Sequence, residues 1–264
     1  MKRNILTVPI QKIESSGASL RAQDLVAVEE PLQIRLGESD VAITMRTPGH
    51  DRELALGFLY TEGMLASLDQ IEDVRVDEAG AVMVSLVAGL VPDIDARRFY
   101  VTSSCGICGK ASIDALAASG CAMMPAGQPK LAVDLVPHFP TRLREAQAIF
   151  EHTGGLHAAG LFNTAGELLY LREDVGRHNA VDKLIGAAFL EGRLPLADHV
   201  LMLSGRISFE LVQKAVTTGI PIVIAVGAPS SLAIETALRF GVTLIGFVRG
   251  GHFNVYAGGD RLIT

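Results

Sequence analysis

Cys105 and Cys108 stand three positions apart in Thr102-Ser103-Ser104-Cys105-Gly106-Ile107-Cys108-Gly109-Lys110. Thiols at this spacing can share a sulfur atom, close a disulfide or supply half of a metal site. Gly106 and Gly109 open positive φ to the backbone and leave the sulfurs uncovered, while Ser103 and Ser104 add no apolar anchor. The pattern predicts a mobile loop followed by a helix that starts near Lys110. A helix N-terminus and a neighbouring lysine both favour thiolate. A thiol with a pKa of about 8.5 is only a few per cent ionised at neutral pH, whereas one tuned to about 7 is half ionised. Nucleophilic sulfur is then available without a separate base.

The chain that must position this loop has 264 residues, 49% apolar and 20% charged, enough for one large core or two modest ones. A net charge of −6 argues against a general nucleic-acid binder but leaves room for a local basic pocket that takes a small phosphorylated ligand. Residues 1–20 hold no apolar run followed by a small-residue cleavage site, so neither secretion nor a membrane anchor is expected, and the protein is expected in the cytoplasm. Three cysteines, an odd number, fit a reducing compartment better than a disulfide framework.

Period-two alternation at Leu32/Ile34/Leu36 and Val41/Ile43/Met45 around Gly37-Glu38-Ser39-Asp40 predicts a hairpin. Val74/Val76 and Val82/Val84/Leu86 predict a second one. Between them, residues 48–60 carry helical spacing with Gly63 as the stop. Phe99 to Val101 reads as one more strand. His50-Asp51-Arg52-Glu53 and Glu29-Glu30 read as solvated charge rather than acid/base machinery. These residues form a small N-terminal α+β domain, 1–101. Residues 102–140 hold the cysteine loop, a short Ala-rich helix and a connection in which the lone Cys121 reads as a small buried hydrophobe.

Residues 141–264 form the larger domain. A helix is expected from Thr141 to His152, apolar segments around Asn163-Thr164-Ala165-Gly166, and a helix from Asn179 to Leu190. The runs 200–203, 222–226 and 244–248 then alternate with helical patterns at 208–217 and 231–240, which predicts a parallel α/β sheet. Ligands gather beyond the carboxyl ends of such strands. Four segments should meet there: 174–179, 204–208, 227–231 and 249–252. Three of them carry arginine, whose planar fork suits phosphate or a purine edge. Arg206, Arg249, Gly250, Gly251 and His252, with amides near Ser230, are therefore expected to bind a nucleotide. His138, His152 and His199 read as surface or structural residues, and His157, after Gly154-Gly155, as an even choice between structure and site.

The loop at 105–109, together with Glu29-Glu30-Pro31-Leu32, Thr47-Pro48-Gly49, residues 57–63, residues 173–183, Ser204-Gly205-Arg206 and Arg249-Gly250-Gly251, resembles the FdhD family, the formate dehydrogenase accessory sulfurtransferases. The resemblance implies a sulfur carrier that takes persulfide sulfur from a cysteine desulfurase. It would pass that sulfur to a molybdenum or tungsten bis(guanylyl-pterin) cofactor, Mo-bis(molybdopterin guanine dinucleotide) in the molybdenum case, which is bound as substrate and delivered to formate dehydrogenase. It also implies a homodimer, a persulfide on Cys105 with Cys108 as its partner, and cofactor binding by Phe247, Val248, Arg249, Gly250, Gly251 and His252. The larger domain further resembles the cytidine deaminase fold. A deaminase needs a zinc held by His or Cys and a cysteine pair, with a catalytic Glu. His178-Asn179-Ala180 and residues 204–208 supply neither the pair nor the acid, so no tightly bound zinc is expected. Two alternatives explain less: a dithiol oxidoreductase accounts for the thiols alone, and a zinc-binding interaction module has two well-spaced ligands of the four it needs.

Overall fold

The computed structural model describes residues 4–77, 80–90 and 109–264, the last segment without the side chains of 109–112. The cysteine loop and the expected strand Phe99 to Val101 lie outside the described residues. The chain begins with an antiparallel ribbon, β1 (Ile5–Ile13) and β2 (Ser19–Ala27), which the sequence reading did not anticipate. Both predicted hairpins form: β3 (Glu30–Leu36) with β4 (Ser39–Arg46), and β5 (Ile71–Val76) with β6 (Ala81–Leu86). They join through parallel pairing of β3 and β6 into a four-stranded sheet of order β4-β3-β6-β5. Leu32, Ile34 and Leu36 are fully buried, as alternation demands, beneath Leu54, Leu56 and Leu59 of α1 (Asp51–Thr61).

Helix α2 (Gly109–Ala118) and the short strand β7 (Leu131–Ala132) lead to α3 (Phe139–Ala146) and α4 (Ala148–Thr153). A single helix over 141–152 was expected. Gln147 breaks it, at φ −78° and ψ 81°. Next come β8 (His157–Asn163), β9 (Leu168–Asp174), α5 (Arg177–Leu190), β10 (His199–Leu203), α6 (Phe209–Thr217), β11 (Ile222–Ala225), α7 (Ser231–Phe240), β12 (Thr243–Arg249), β13 (His252–Ala257) and β14 (Leu262–Ile263). The six-stranded sheet has the order β13-β12-β11-β10-β8-β9. Its centre, β10-β11-β12, is parallel with helical crossovers, as the apolar runs require. The edges add antiparallel strands to the parallel centre that was expected. Short turns make β8–β9 and β12–β13 antiparallel hairpins, and β8 pairs antiparallel to β10 because the α5 crossover brings the chain back in the direction of β9.

The two sheets share one frame through α1 and α5. A Cβ placed on Gly57 would lie 1.9 Å from the carbonyl oxygen of Asp182, and one on Gly186 would lie 1.8 Å from that of Glu53, so the helix backbones touch where no side chain fits. Buried polar groups reinforce the crossing. Asp174, fully buried, accepts from the amides of Thr47 and Gly176, from Asn179 Nδ2 and from Lys183 Nζ at 2.7 Å. Asp182 receives Thr61 Oγ1 at 3.0 Å and Lys214 Nζ at 2.8 Å. Burial works to lower the pKa of Lys214, but the charges of Asp182 and Glu62 outweigh it and hold the ammonium above its ordinary range.

The charges before and within the first turn of α1 are not the solvated run that was expected. Asp51 forks onto the fully buried Arg46, which also reaches Glu30, and Glu53 pairs with Arg172 and His50. Although burial opposes ionisation of Glu53, the hydrogen bonds and charges of Arg172 and His50 bring its pKa from 4.5 to about 2. A depressed carboxylate contributes stability that is fully present above the unfolded value and is lost as pH falls toward the folded one. Between pH 4.5 and 2 the wild type should therefore lose stability more steeply than Glu53→Gln, measured by urea unfolding. Equal slopes would remove this pair from the acid response.

Candidate functional site

The carboxyl edge of β10, β11 and β12 is knitted together beyond the strand ends. Ile207 N donates to Ala228 O, Ser230 N to Ile207 O, Gly227 N to Gly205 O and Phe247 N to Gly227 O. Gly227 is required there, since its Cβ would meet the backbone of Gly205 and Arg206 at 2.8 and 2.9 Å. The result is a rigid ledge built from three loops rather than three loose connections.

Cationic groups gather on this ledge. His157 starts β8, Arg177 and His178 open α5, and Arg206 follows β10; the imidazole of His157 feels all three neighbours. Burial first, then Arg177, His178 and Arg206, push the His157 pKa below its ordinary value, so the ring is neutral near pH 7. Arg177 Nε is buried without a hydrogen-bond partner. His178 Nε2 lies 3.1 Å from Ser208 Oγ and 3.7 Å from Glu210 Oε2. Hydrogen bonds from His178 and Ser208 hold Glu210 at a pKa of about 2, despite partial burial. Two carboxylates, Glu210 and the Lys183-paired Asp174, thus stand among four cation-capable groups, an arrangement suited to an anion.

The far end of the ledge is strained. Phe247 adopts φ 56°, a left-handed conformation that bulky side chains rarely take, inside an irregular stretch of the β12–β13 pairing. Its ring is partly exposed, with Arg249 Cζ 6.0 Å from the centroid. Gly250 and Gly251, at φ 57° and 78°, form the two-residue turn between Arg249 and His252, the left-handed pair such hairpins prefer.

A cleft of ≈ 600 Å³ opens beside the ledge, between α3–α4 and the ends of β10 and β11, with His157, Ser204 and Val226 on one wall and Arg144, Gln147 and Phe150 on the other. A second cleft, ≈ 730 Å³, lies at the start of α1. Its charges are already committed: Glu53 to Arg172 and His50, Lys183 to Asp174, and Glu173 to the amides of Ile149 and Phe150.

A family model described as the FdhD/NarQ family matches residues 27–263. The chain belongs to the FdhD/NarQ family. It is 51% identical to the "Sulfur carrier protein FdhD" of Streptomyces avermitilis, over 95% of this chain and 93% of that one. It is 45% identical to the protein of the same name from Sulfolobus acidocaldarius, over 98% of each. Among solved structures, a formate dehydrogenase accessory protein from Desulfotalea psychrophila superposes with a TM-score of 0.79 at 25% identity, covering 99% of this chain and 100% of that one.

In this FdhD/NarQ chain the expected site residues divide. Arg206, Phe247, Arg249, Gly250, Gly251 and His252 are exposed on the ledge or its turn. Val248, expected among them, is 1% exposed and packs in the core, because the strand's alternation turns it inward. Ser230 is spent on the fold: its hydroxyl caps α7 by accepting from Ala233 N, and its amide donates to Ile207 O. Asp174 and Asn179, read as part of the ligand edge, serve the buried network instead. Cys105 and Cys108 lie outside the described residues, but α2 begins at Gly109, directly after them in sequence. Cys121 is half-buried, 3.5 Å from Ser119 Oγ. Gln147, Arg144 and Phe150 were not singled out from sequence, since no motif marks them. Among the described residues no three His, Cys, Asp or Glu side chains converge as a metal site, and no helix is long and apolar enough to cross a membrane.

Proposed function

We propose that this chain is a sulfur carrier in formate dehydrogenase maturation, in keeping with the names of its relatives. The Cys105 thiolate attacks the outer sulfur of a persulfide on a cysteine desulfurase. The donor's S–S bond breaks, the donor leaves as thiolate, and Cys105 carries the outer sulfur as its own persulfide. That sulfur passes to a molybdenum or tungsten bis(guanylyl-pterin) cofactor, held as substrate on the ledge, before formate dehydrogenase receives it. The protein works in the cytoplasm, as a homodimer and without resident zinc. The strand order of the six-stranded sheet supports the deaminase-like reading of its fold.

One observation carries the nucleotide part of this reading: Arg177, His178 and Arg206 reach one patch around His157, beside a non-glycine residue held at positive φ. Diphosphate oxygens would meet the arginines. GDP, a fragment of the cofactor, should bind the wild type. Because a charge-assisted hydrogen bond contributes about 1.5 to 3 kcal/mol, Arg206→Ala and Arg249→Ala should each weaken GDP roughly ten- to hundredfold. Calorimetric titration measures this, with the exposed Arg75→Ala on β5 as control. Unchanged affinity in both ledge variants would move the site elsewhere.

A further inference from the structure

The two faces of the β1–β2 ribbon differ in chemistry. Register and alternation place Leu6, Val8, Ile10, Leu20, Ala22 and Val26 on one face. The other carries Thr7, Gln11, Ser19, Arg21 and Gln23, with Pro9, Ile13 and Leu25 among them and Ile5 and Ala27 at the base. There a Cβ on Gly155, just after α4, would lie 4.0 Å from that of Ala27. The chain's own body thus meets the second face at its base and leaves both ends of the apolar face bare. Leu6 near the base is 51% exposed and Leu20 near the tip 67%, and neither strand contributes a residue to the apolar cores of the described residues. A two-stranded ribbon by itself is marginal in water. The four-stranded sheet has a matching defect. Helix α1 covers the face that carries Leu32, Ile34 and Leu36, while β4 turns Ile43, 73% exposed, and Met45, 47% exposed, to the opposite face.

We propose that the ribbon is an arm that lies, apolar face down, on the outer face of the four-stranded sheet of a second copy of this chain, each copy giving one arm and receiving one. The proposal rests on the homodimer reading above and names the surface that joins the copies. Both halves of the contact occur in one sequence, so reciprocal exchange closes at two. Area favours the same occupant. Each strand has nine residues, which makes the ribbon roughly 30 Å long and about 10 Å wide, with a face of roughly 300 Å². One arm docked on an unrelated protein would bury roughly 600 Å² in total, half the low end for a stable complex, whereas two exchanged arms reach about 1,200 Å². Charge agrees. In a chain of net charge −6 the arm is neutral, Lys12 and Arg21 balancing Glu14 and Asp24, so it meets an acidic copy without net repulsion. Its apolar face also carries Lys12 and Asp24, and the receiving face carries the Arg35–Asp40 pair farther along β3 and β4, one charge of each sign on either side.

Sedimentation equilibrium of the full chain, with melting temperature as the control for folding, tests this. Wild type should sediment as a dimer. Leu20→Glu and Ile43→Glu, both at exposed positions, should each raise the dimer dissociation constant at least tenfold, while Gln23→Glu on the polar face of the arm should not change it. If wild type and both variants are equally dimeric, another surface joins the copies: the arm proposal fails and the homodimer reading stands. A response to Leu20→Glu without one to Ile43→Glu overturns the receiving face. A wild type that is monomeric at every concentration overturns both readings, and loss of cysteine desulfurase binding by Leu20→Glu would then give the arm to that partner.

Discussion

Cys105→Ala should reduce sulfur transfer to background. Incubated with a cysteine desulfurase and cysteine, the wild type should gain the mass of added sulfur, and the alanine variant should gain none at this position. The variant lacks the sulfur atom proposed to attack the donor, and no neighbouring base can replace it. Cys108→Ala should likewise abolish transfer. Cys121→Ser should remain active, since Cys121 is packed against the core beside Ser119 and Thr217. The start of α2 at Gly109 supports the assignment, because partial positive charge at a helix N-terminus favours thiolate close by. Sulfur transfer at wild-type rate by Cys105→Ala would end the persulfide reading, and unchanged melting temperature is the control for folding.

Asp174→Ala should produce the largest loss of stability. It removes the shared acceptor of four donors, from Thr47, Gly176, Asn179 and Lys183, and leaves the Lys183 charge without its carboxylate partner in a site with no solvent exposure. Removing one partner of a buried ion pair typically costs about 3 to 5 kcal/mol, because the other charge stays buried. At about 2 to 4 °C per kcal/mol for a chain near this size, the melting temperature should fall by roughly 6 to 20 °C. Burial already pushes the pKa of Lys183 down despite Asp174, so the lysine of the variant should deprotonate readily and part of the loss should recover at high pH. A variant that melts with the wild type would show that the network is not needed to hold the two sheets together.

Strands and helices were legible in the sequence wherever one periodicity ruled. Leu32/Ile34/Leu36 and the apolar runs of β10, β11 and β12 could form little else. Ribbon β1–β2 was missed because its exposure pattern lacks a clean alternation, with Leu6, Ile13 and Leu20 all turned to solvent. Three-dimensional partners decided the rest. Asp51 and Glu53 look like first-turn acids until Arg46 and Arg172 arrive from other elements, and nothing local announces them. Asp174 and Asn179 carry the residue types of a ligand loop, yet their partners are backbone groups 127 and 134 positions away. Arg206 and Arg249 could be anticipated because strand ends in such sheets converge by geometry. Gln147 could not, since a broken helix and an unpartnered amide exist only once the chain is folded.

The glycine crossing of α1 and α5 also bears on how the protein is made. Thr61 waits 121 positions for Asp182, and the core over the four-stranded sheet includes Phe189. Domains that fold during synthesis usually complete the amino-terminal unit first. Here the first sheet emerges from the ribosome with the outer face of α1 uncovered, and it stays so until roughly two thirds of the chain has been translated. The nascent chain therefore has an obligatory unfinished stage, and a premature stop before residue 182 would release a fragment in which Thr61 and the glycine face of α1 have nothing to meet.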